Sequence, residues 1–385
     1  MLTTATLPAR AAGARLLSLD VFRGLTMAAM VIVNNPGDWS QVYGPLLHAP
    51  WHGLTPTDLI FPFFLFIAGV SITLAPRSSA GVATIARRAA VIFGLGMLLA
   101  LYPRFDLAIV RIPGVLQRIA VCYLVVALSH RALAGRRSTM PPQQRIVITL
   151  ASALALLAGY WGVMMLVPAP GAAAGDLSPE GNVGAAIDRW VFGPHLWRQS
   201  KTWDPEGLLS TVPAIGTTLT GLAAGYVLTS GWSSRDRTRA LVIGSAVALD
   251  IGILWSFVFP LNKALWTSSY VLVTSGLAGL LLIALESAAQ RFTAGFARVS
   301  EPLVALGRNA LLLFVLSGFL AKTLALIRVD NGQGGTAGLG RWMYLEWFAP
   351  IASPKNASLL FALAHLLILF ALLWCLHRRR LYLRV

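Results

Sequence analysis

Long apolar runs separated by short polar stretches dominate the chain. Crossing the ~30 Å hydrocarbon core of a bilayer takes about 20 mostly apolar residues. On that measure the pattern predicts ten spanning helices, at roughly 20–36, 57–76, 87–103, 112–130, 146–167, 208–230, 239–260, 266–287, 302–325 and 358–376. The expected fold is all-α: about ten transmembrane helices in one bundle that occupies residues 1–385 as a single domain, with tails at 1–16 and 377–385. The polar stretches are of two kinds. Residues 36–57, 168–207 and 326–357 are long and rich in Trp, Gly and Pro, whereas the others are short and basic. Within the second long stretch, VPAPGAAAGDLSPEGN reads as flexible surface loop and GPHLWRQSKTWDPEG as an ordered lid. No repeat or linker divides the chain. The basic start MLTTATLPARAAGAR leads into a full span, so no cleavable signal is expected.

Composition agrees with the pattern. Hydrophobic residues make up 56% and charged residues 12%, with mean hydropathy +0.70, outside the soluble range. The net charge of +16 adds a direction. With both termini in the cytoplasm, 20 of the 31 basic residues fall in the short loops and tails, as the positive-inside bias requires. The bias places both termini on the cytoplasmic side, and the resemblance described below implies a bacterial cytoplasmic (inner) membrane. Because the charge is dispersed over separate segments and forms no single stripe, nucleic-acid binding is excluded, while membrane lipid is an expected neighbour. The two cysteines, Cys122 and Cys375, lie in apolar stretches and are too few for a disulfide framework or a zinc site. No metal is expected.

Polar residues at membrane depth are costly and default to pairing or function. HAPWHGLTPTDLIFPFFLF sets His48, Trp51, His52 and Asp58 against the second span. His52 reads as a solvated cap. His48, flanked by LL and APW, reads as an imidazole held in place, a general-base candidate. Asp58 is either the acid that orients His48 or a helix cap. Asp20 and Arg23 open the first span as an i,i+3 pair, and Asn34 and Asn35 close it. Arg111 and Arg118, seven apart, share a helical face and need anionic partners. Asp204 and Glu206 in WDPEG suit an ammonium or sugar hydroxyls, or a solvated loop. Asn262, Lys263 and Asn309 add interfacial polarity. P-loop, dinucleotide, HExxH and GxSxG signatures are absent.

The runs LSLDVFRGLTMAAMVIVNN, HAPWHGLTPTDLIFPFFLFIAGVS, RIPGVLQRIAVCY, WDPEGLLSTVPAI, FPLNKALWTSSYVL and LGRNALLLF, in this order, resemble the membrane core of the heparan-α-glucosaminide N-acetyltransferase family, whose bacterial members include NagX. The resemblance runs from about residue 17 to 376 and does not include the lumenal N-terminal domain of the animal enzymes. It implies transmembrane transfer of an acetyl group from cytoplasmic acetyl-CoA to an amino sugar of glucosamine type, or a glycan end, on the opposite side. His48 in HAPWHG matches the family's catalytic histidine and Asn34 in VIVN its active-site asparagine. On this reading His48 acts as general base or acetyl carrier, and Asn34 as oxyanion donor beside Asp58. Arg23, Arg111 and Arg118 are candidates for the coenzyme A phosphates, although Asp20, Asp250 or Glu301 are alternative partners for them. Trp51, Asp204, Glu206, Asn262 and Lys263 are candidates for the acceptor. The phosphates are expected in the cytoplasmic half of the bundle. An amino-sugar transporter and a glycan O-acetyltransferase are the competing readings, and a homodimer is possible.

Overall fold

The computed structural model describes residues 16–74, 81–134, 139–330 and 335–383. Among these, nine helices are long and apolar enough to cross a membrane. They are α1 (Leu17–Asn34), α2 (Ile60–Leu74, entered through a turn at Pro56–Leu59), α3 (Val82–Leu101), α4 (Val115–Ala134), α5 (Pro142–Leu166), then, after the short α6 (Val183–Phe192), α7 (Thr211–Thr229), α8 (Ser234–Ser256), α9 (Ser268–Arg291) and, closing the chain, α13 (Pro354–Arg378). Between α9 and α13, helices α10 (Thr293–Arg308) and α11 (Ala310–Leu326) pass the same test only together and are bent by 68°. The expected count of ten spans thus holds with the bent pair taken as one.

The bend corrects the single span expected at 302–325. It sits at Asn309, whose side chain is spent on the C-terminal segment: Nδ2 donates to Leu381 O (3.3 Å) and Oδ1 accepts from Leu383 N (3.0 Å). Apolar periodicity does not register such a junction.

Helix α7 is the hub, packed against α2, α4, α5 and α9 and buried on almost every face. It can occupy that place because its residues are small. At the α2–α7 crossing, a Cβ on Gly69 would run into the Thr218 carbonyl, and one on Gly221 into the Phe66 carbonyl, so the two backbones meet directly. By contrast α3, α5, α8 and α13 keep most of their apolar surface outward, as lipid-facing helices do.

The long polar stretches gather at one end of the bundle, with the C-terminus of α1 and the N-termini of α2, α4, α7 and α9. Just before the stretch expected as a lid, residues 183–192 are helical: α6 is capped by Asn182, whose Oδ1 accepts from Ala185 N (2.8 Å). A small antiparallel pair, β1 (Arg328–Asp330) with β2 (Thr336–Gly338), and the one-turn helix α12 (Leu339–Met343) follow α11. Among the described residues this pair is the exception to an otherwise helical fold. At the opposite end Asp20 binds Arg23 (3.0 Å) and Arg308 (3.3 Å), and Arg308 donates to the Tyr382 hydroxyl.

Candidate functional site

The turn before α2 builds the site. Gly53, at φ +128°, takes a backbone conformation that disfavours a side chain, and its N–H donates to Leu261 O (2.8 Å), so HAPWHG folds back over the loop before α9. Asp58, almost wholly buried, then serves two purposes that the sequence presented as alternatives. One oxygen, Oδ2, accepts from Thr55 N (3.0 Å), Thr55 Oγ1 (2.9 Å) and Ala49 N (3.1 Å), capping the helix entry. The other, Oδ1, lies 2.7 Å from His48 Nδ1. A carboxylate only accepts, so Nδ1 carries the proton and the Nε2 lone pair is left outward. The Tyr270 hydroxyl donates to the Asp58 backbone carbonyl (2.5 Å) and ties this turn to α9.

His48 is about half exposed (48% of its side chain), more open than the packed imidazole expected. It stands at the mouth of a cleft of about 700 Å³, counting its open entrance. Asn34, Glu206 and Lys263 share the mouth, while Met27, Met30, Phe61, Phe64, Leu311 and Phe314 line the depth. The cleft follows α1 from Asn34 to Thr26, a rise of roughly 12 Å. Asn34 is exposed here, whereas its neighbour Asn35 is turned inward, donating to Val31 O (2.7 Å) and Ser317 Oγ (3.2 Å).

Lys263 Nζ is 3.0 Å from His48 Nε2 and 3.2 Å from Nδ1. An atom nearly equidistant from both ring nitrogens at contact distance lies over the ring face, since in the plane it would collide with the carbon between them. Burial pushes the Lys263 ammonium down from its ordinary pKa, although Glu206 and Asp58 pull it back up. The preceding Asn262 is wholly buried and spends its side chain on the protein: Oδ1 accepts from Leu265 N (2.8 Å) and Nδ2 faces His52 (3.3 Å). It shapes the loop that presents Lys263.

The acids of WDPEG are buried, not solvated. Arg111 grips Asp204 with two hydrogen bonds (Nε to Oδ2, 2.8 Å; Nη2 to Oδ1, 2.5 Å) and reaches Glu206 Oε2 (2.5 Å). Burial alone disfavours the Arg111 cation, but Asp204 and Glu206 lift its pKa above the usual range. For Glu206, burial is outweighed by Arg111, Arg118 and Lys263, which lower its pKa and hold it ionised. Arg118 lies beneath, buried against the Trp266 ring (5.0 Å) and donating to Gly207 O (3.2 Å) and Ser210 Oγ (2.5 Å). Both arginines therefore stand at the His48 end and hold WDPEG in place, which corrects the expectation that they meet phosphates in the opposite half. Of the three phosphate candidates only Arg23 lies at the other end, where it donates to Ser71 Oγ (2.8 Å) and Asp20. Trp51 donates from Nε1 to Leu177 O (2.9 Å) and meets Trp203 edge-on, so it pins the outer loop as a wall of the site.

One residue escaped the sequence reading. Asp188 of α6 accepts from Leu208 N (2.8 Å) behind WDPEG, and burial, with Asp204 nearby, pushes its pKa up to about 7. The missing signal was α6 itself. Among the described residues no group of three or more His, Cys, Asp or Glu comes together as a metal site.

Residues 15–167 match the family model for the catalytic region of heparan-alpha-glucosaminide N-acetyltransferase. The heparan-alpha-glucosaminide N-acetyltransferase of Homo sapiens is 32% identical over 326 residues, covering 70% of this chain and 48% of the human protein. The chain belongs to this family. The Mus musculus N-acetyltransferase is 32% identical over 337 residues, 72% of this chain and 49% of the mouse protein. The chain thus spans about half the length of the curated relatives it matches. The N-acetyltransferase family match takes in Asn34, His48, Asp58 and Arg111, whereas WDPEG and Lys263 lie beyond it.

Proposed function

We propose that this chain transfers the acetyl group of acetyl-CoA to the amine of a glucosamine-type amino sugar across a membrane, with His48 as general base. The observation that carries the reading is the His48–Asp58 pair, a lone-pair Nε2 facing the mouth of an apolar cleft. The depth of the cleft suits a thioester arm. One helical turn past its deep end stands Arg23, which on this reading meets a phosphate from the cytoplasmic side. Acetyl-CoA supplies an activated carbonyl carbon and a thiol leaving group. His48 Nε2 takes the proton of the acceptor amine as its nitrogen bonds to that carbon, and returns a proton to the departing sulfur. Asp58 keeps the imidazole in the required tautomer. The Asn34 amide donates to the oxygen that becomes negative; such a donor is typically worth ~3–4 kcal/mol of barrier. Glu206 and the edge of Trp51 offer the acceptor an anionic and an apolar contact.

The test is acetyl transfer to glucosamine by purified protein in detergent, followed by mass spectrometry. A His48→Ala variant is expected to keep its melting temperature and lose transfer by about 10²-fold or more. Wild-type rates in that variant would overturn the reading.

A further inference from the structure

Lys263 brings an amine of the chain itself to the place that a substrate amine would take. Its Nζ lies 3.0 Å from His48 Nε2, the nitrogen that faces the cleft mouth, and Lys263, Asn34 and Glu206 share that mouth with His48. A lysine that only anchors backbone ends on carbonyls or an acid, as Lys322 does on Leu99 O and Tyr102 O. Lys263 does neither. Among the described residues no carboxylate pairs with its ammonium and no carbonyl accepts from it, and the His48 ring is what it touches.

The loop fixes where this amine stands. Asn262 Oδ1 accepts from Leu265 N (2.8 Å), Trp266 N donates to Lys263 O (3.2 Å), and Leu261 O takes the Gly53 N–H of HAPWHG (2.8 Å). The Lys263 backbone and the His48 turn are thereby held as one unit. What remains free is the four-carbon stem, whose single bonds carry Nζ between the ring face, where it rests, and the ring edge, where the Nε2 lone pair points. Burial pulls the ammonium pKa down, against Glu206 and Asp58, and so favours the nucleophilic free amine.

We propose that Lys263 is a second acetyl acceptor, modified by the chain's own site when a thioester fills the cleft and no amino sugar does. This assignment rests on the acetyltransferase reading above. A thioester carbonyl set between Asn34 and His48 lies beside Nζ, and a tethered, aligned nucleophile reaches effective molarities of about 10⁵ M or more. The Nζ–C bond forms as the C–S bond breaks. Of the two protons that the ammonium loses, one passes through His48 to the departing sulfur and the other goes to solvent, leaving coenzyme A as its thiol and Lys263 as an amide. An amide does not hand its acetyl group on to an amine, so the product is a modified chain and not an intermediate of transfer. The modification removes the charge over the His48 ring and fills the acceptor's place with a methyl group.

Full-length protein in detergent, incubated with isotope-labelled acetyl-CoA, digested and mapped by mass spectrometry, tests it. Without sugar, label at Lys263 is expected at least tenfold above that at Lys201 and Lys355, which are exposed and report uncatalysed acetylation. Excess glucosamine is expected to cut the Lys263 label by tenfold or more and leave the exposed lysines unchanged, and His48→Ala to bring Lys263 down to their level. Lys263 labelled no more than the exposed lysines, in protein that still acetylates glucosamine, would overturn the proposal and leave the acetyltransferase reading standing. Label at Lys263 that glucosamine does not reduce, or that persists undiminished in His48→Ala, would also overturn it. Label on neither sugar nor lysine would remove both. If His48→Ala fails to fold, the glucosamine competition in wild-type protein decides by itself.

Discussion

A single carboxylate organises the chemistry of the site. Asp58 caps the entry to α2 through Oδ2 and orients His48 through Oδ1, so the ring's position is fixed by the same hydrogen bonds that start the helix. Substitution should separate the two roles. Asp58→Asn keeps an acceptor for the cap but presents an amide that no longer matches the Nδ1 proton. It is expected to fold, with a modest loss of melting temperature, while transfer falls by about 10²-fold or more. Parallel thermal and activity measurements check this, and near-wild-type transfer in Asp58→Asn would argue against the orienting role. Asp58 was legible from HAPWHGLTPTD as two alternatives. That both hold at once required seeing its two oxygens face different partners.

At the scale of elements, the WDPEG segment is held from three sides: by Arg111 above, Arg118 below and Asp188 of α6 behind. Arg111→Met removes the cation from two buried acids, and breaking a buried ion pair by one partner typically costs about 3–5 kcal/mol. A lowered melting temperature is expected, and an unchanged one would show that the clamp contributes nothing. Asp188 gives the same region a pH dependence. Its pKa rises from 3.8 to about 7 on folding, so between those values the folded chain binds a proton that the unfolded chain has lost. The stability it contributes is fully present below 3.8 and is lost as pH rises through about 7. Wild-type protein should melt progressively earlier across that interval, and Asp188→Asn, which keeps an acceptor for Leu208 N, should show a flatter curve. Identical pH slopes would remove Asp188 from this account. Elsewhere the α2–α7 crossing makes its own demand: Gly221→Val must push apart two backbones in contact and is expected to cost at least about 1–3 kcal/mol, read as a drop in melting temperature or in yield.

For the whole molecule, the long polar segments gather at the His48 end, and Asp20, Arg23 and Arg308 at the other. If the basic loops face the cytoplasm, residues 36–57 lie on the far side of the membrane. A cysteine at position 48, with Cys375 replaced, should then react with a membrane-impermeant maleimide added from outside spheroplasts. Labelling only after the cytoplasmic face is opened would invert the topology and with it the direction of transfer. The bent α10–α11 pair is the one span whose form was not legible: its apolar run is continuous, and the break follows from Asn309 bonding a segment more than 70 positions later.

The sequence by itself determined the membrane class, the number of crossings, the family resemblance and the His48–Asn34–Asp58 neighbourhood. These rest on local signals, hydropathy over a span and motifs within about 25 residues of chain. What it could not assign was the partner of each charge. Arg111 and Arg118 look alike in RIPGVLQRIAVCY as cations awaiting an anion, and the sequence offered coenzyme A phosphates as readily as protein acids. Only the fold brought Asp204 and Glu206, more than 90 positions away, against Arg111, and set Lys263 over the ring of His48. Ion pairing depends on distance in space, and in a helical bundle that distance is set by which helices pack together, which no local pattern encodes.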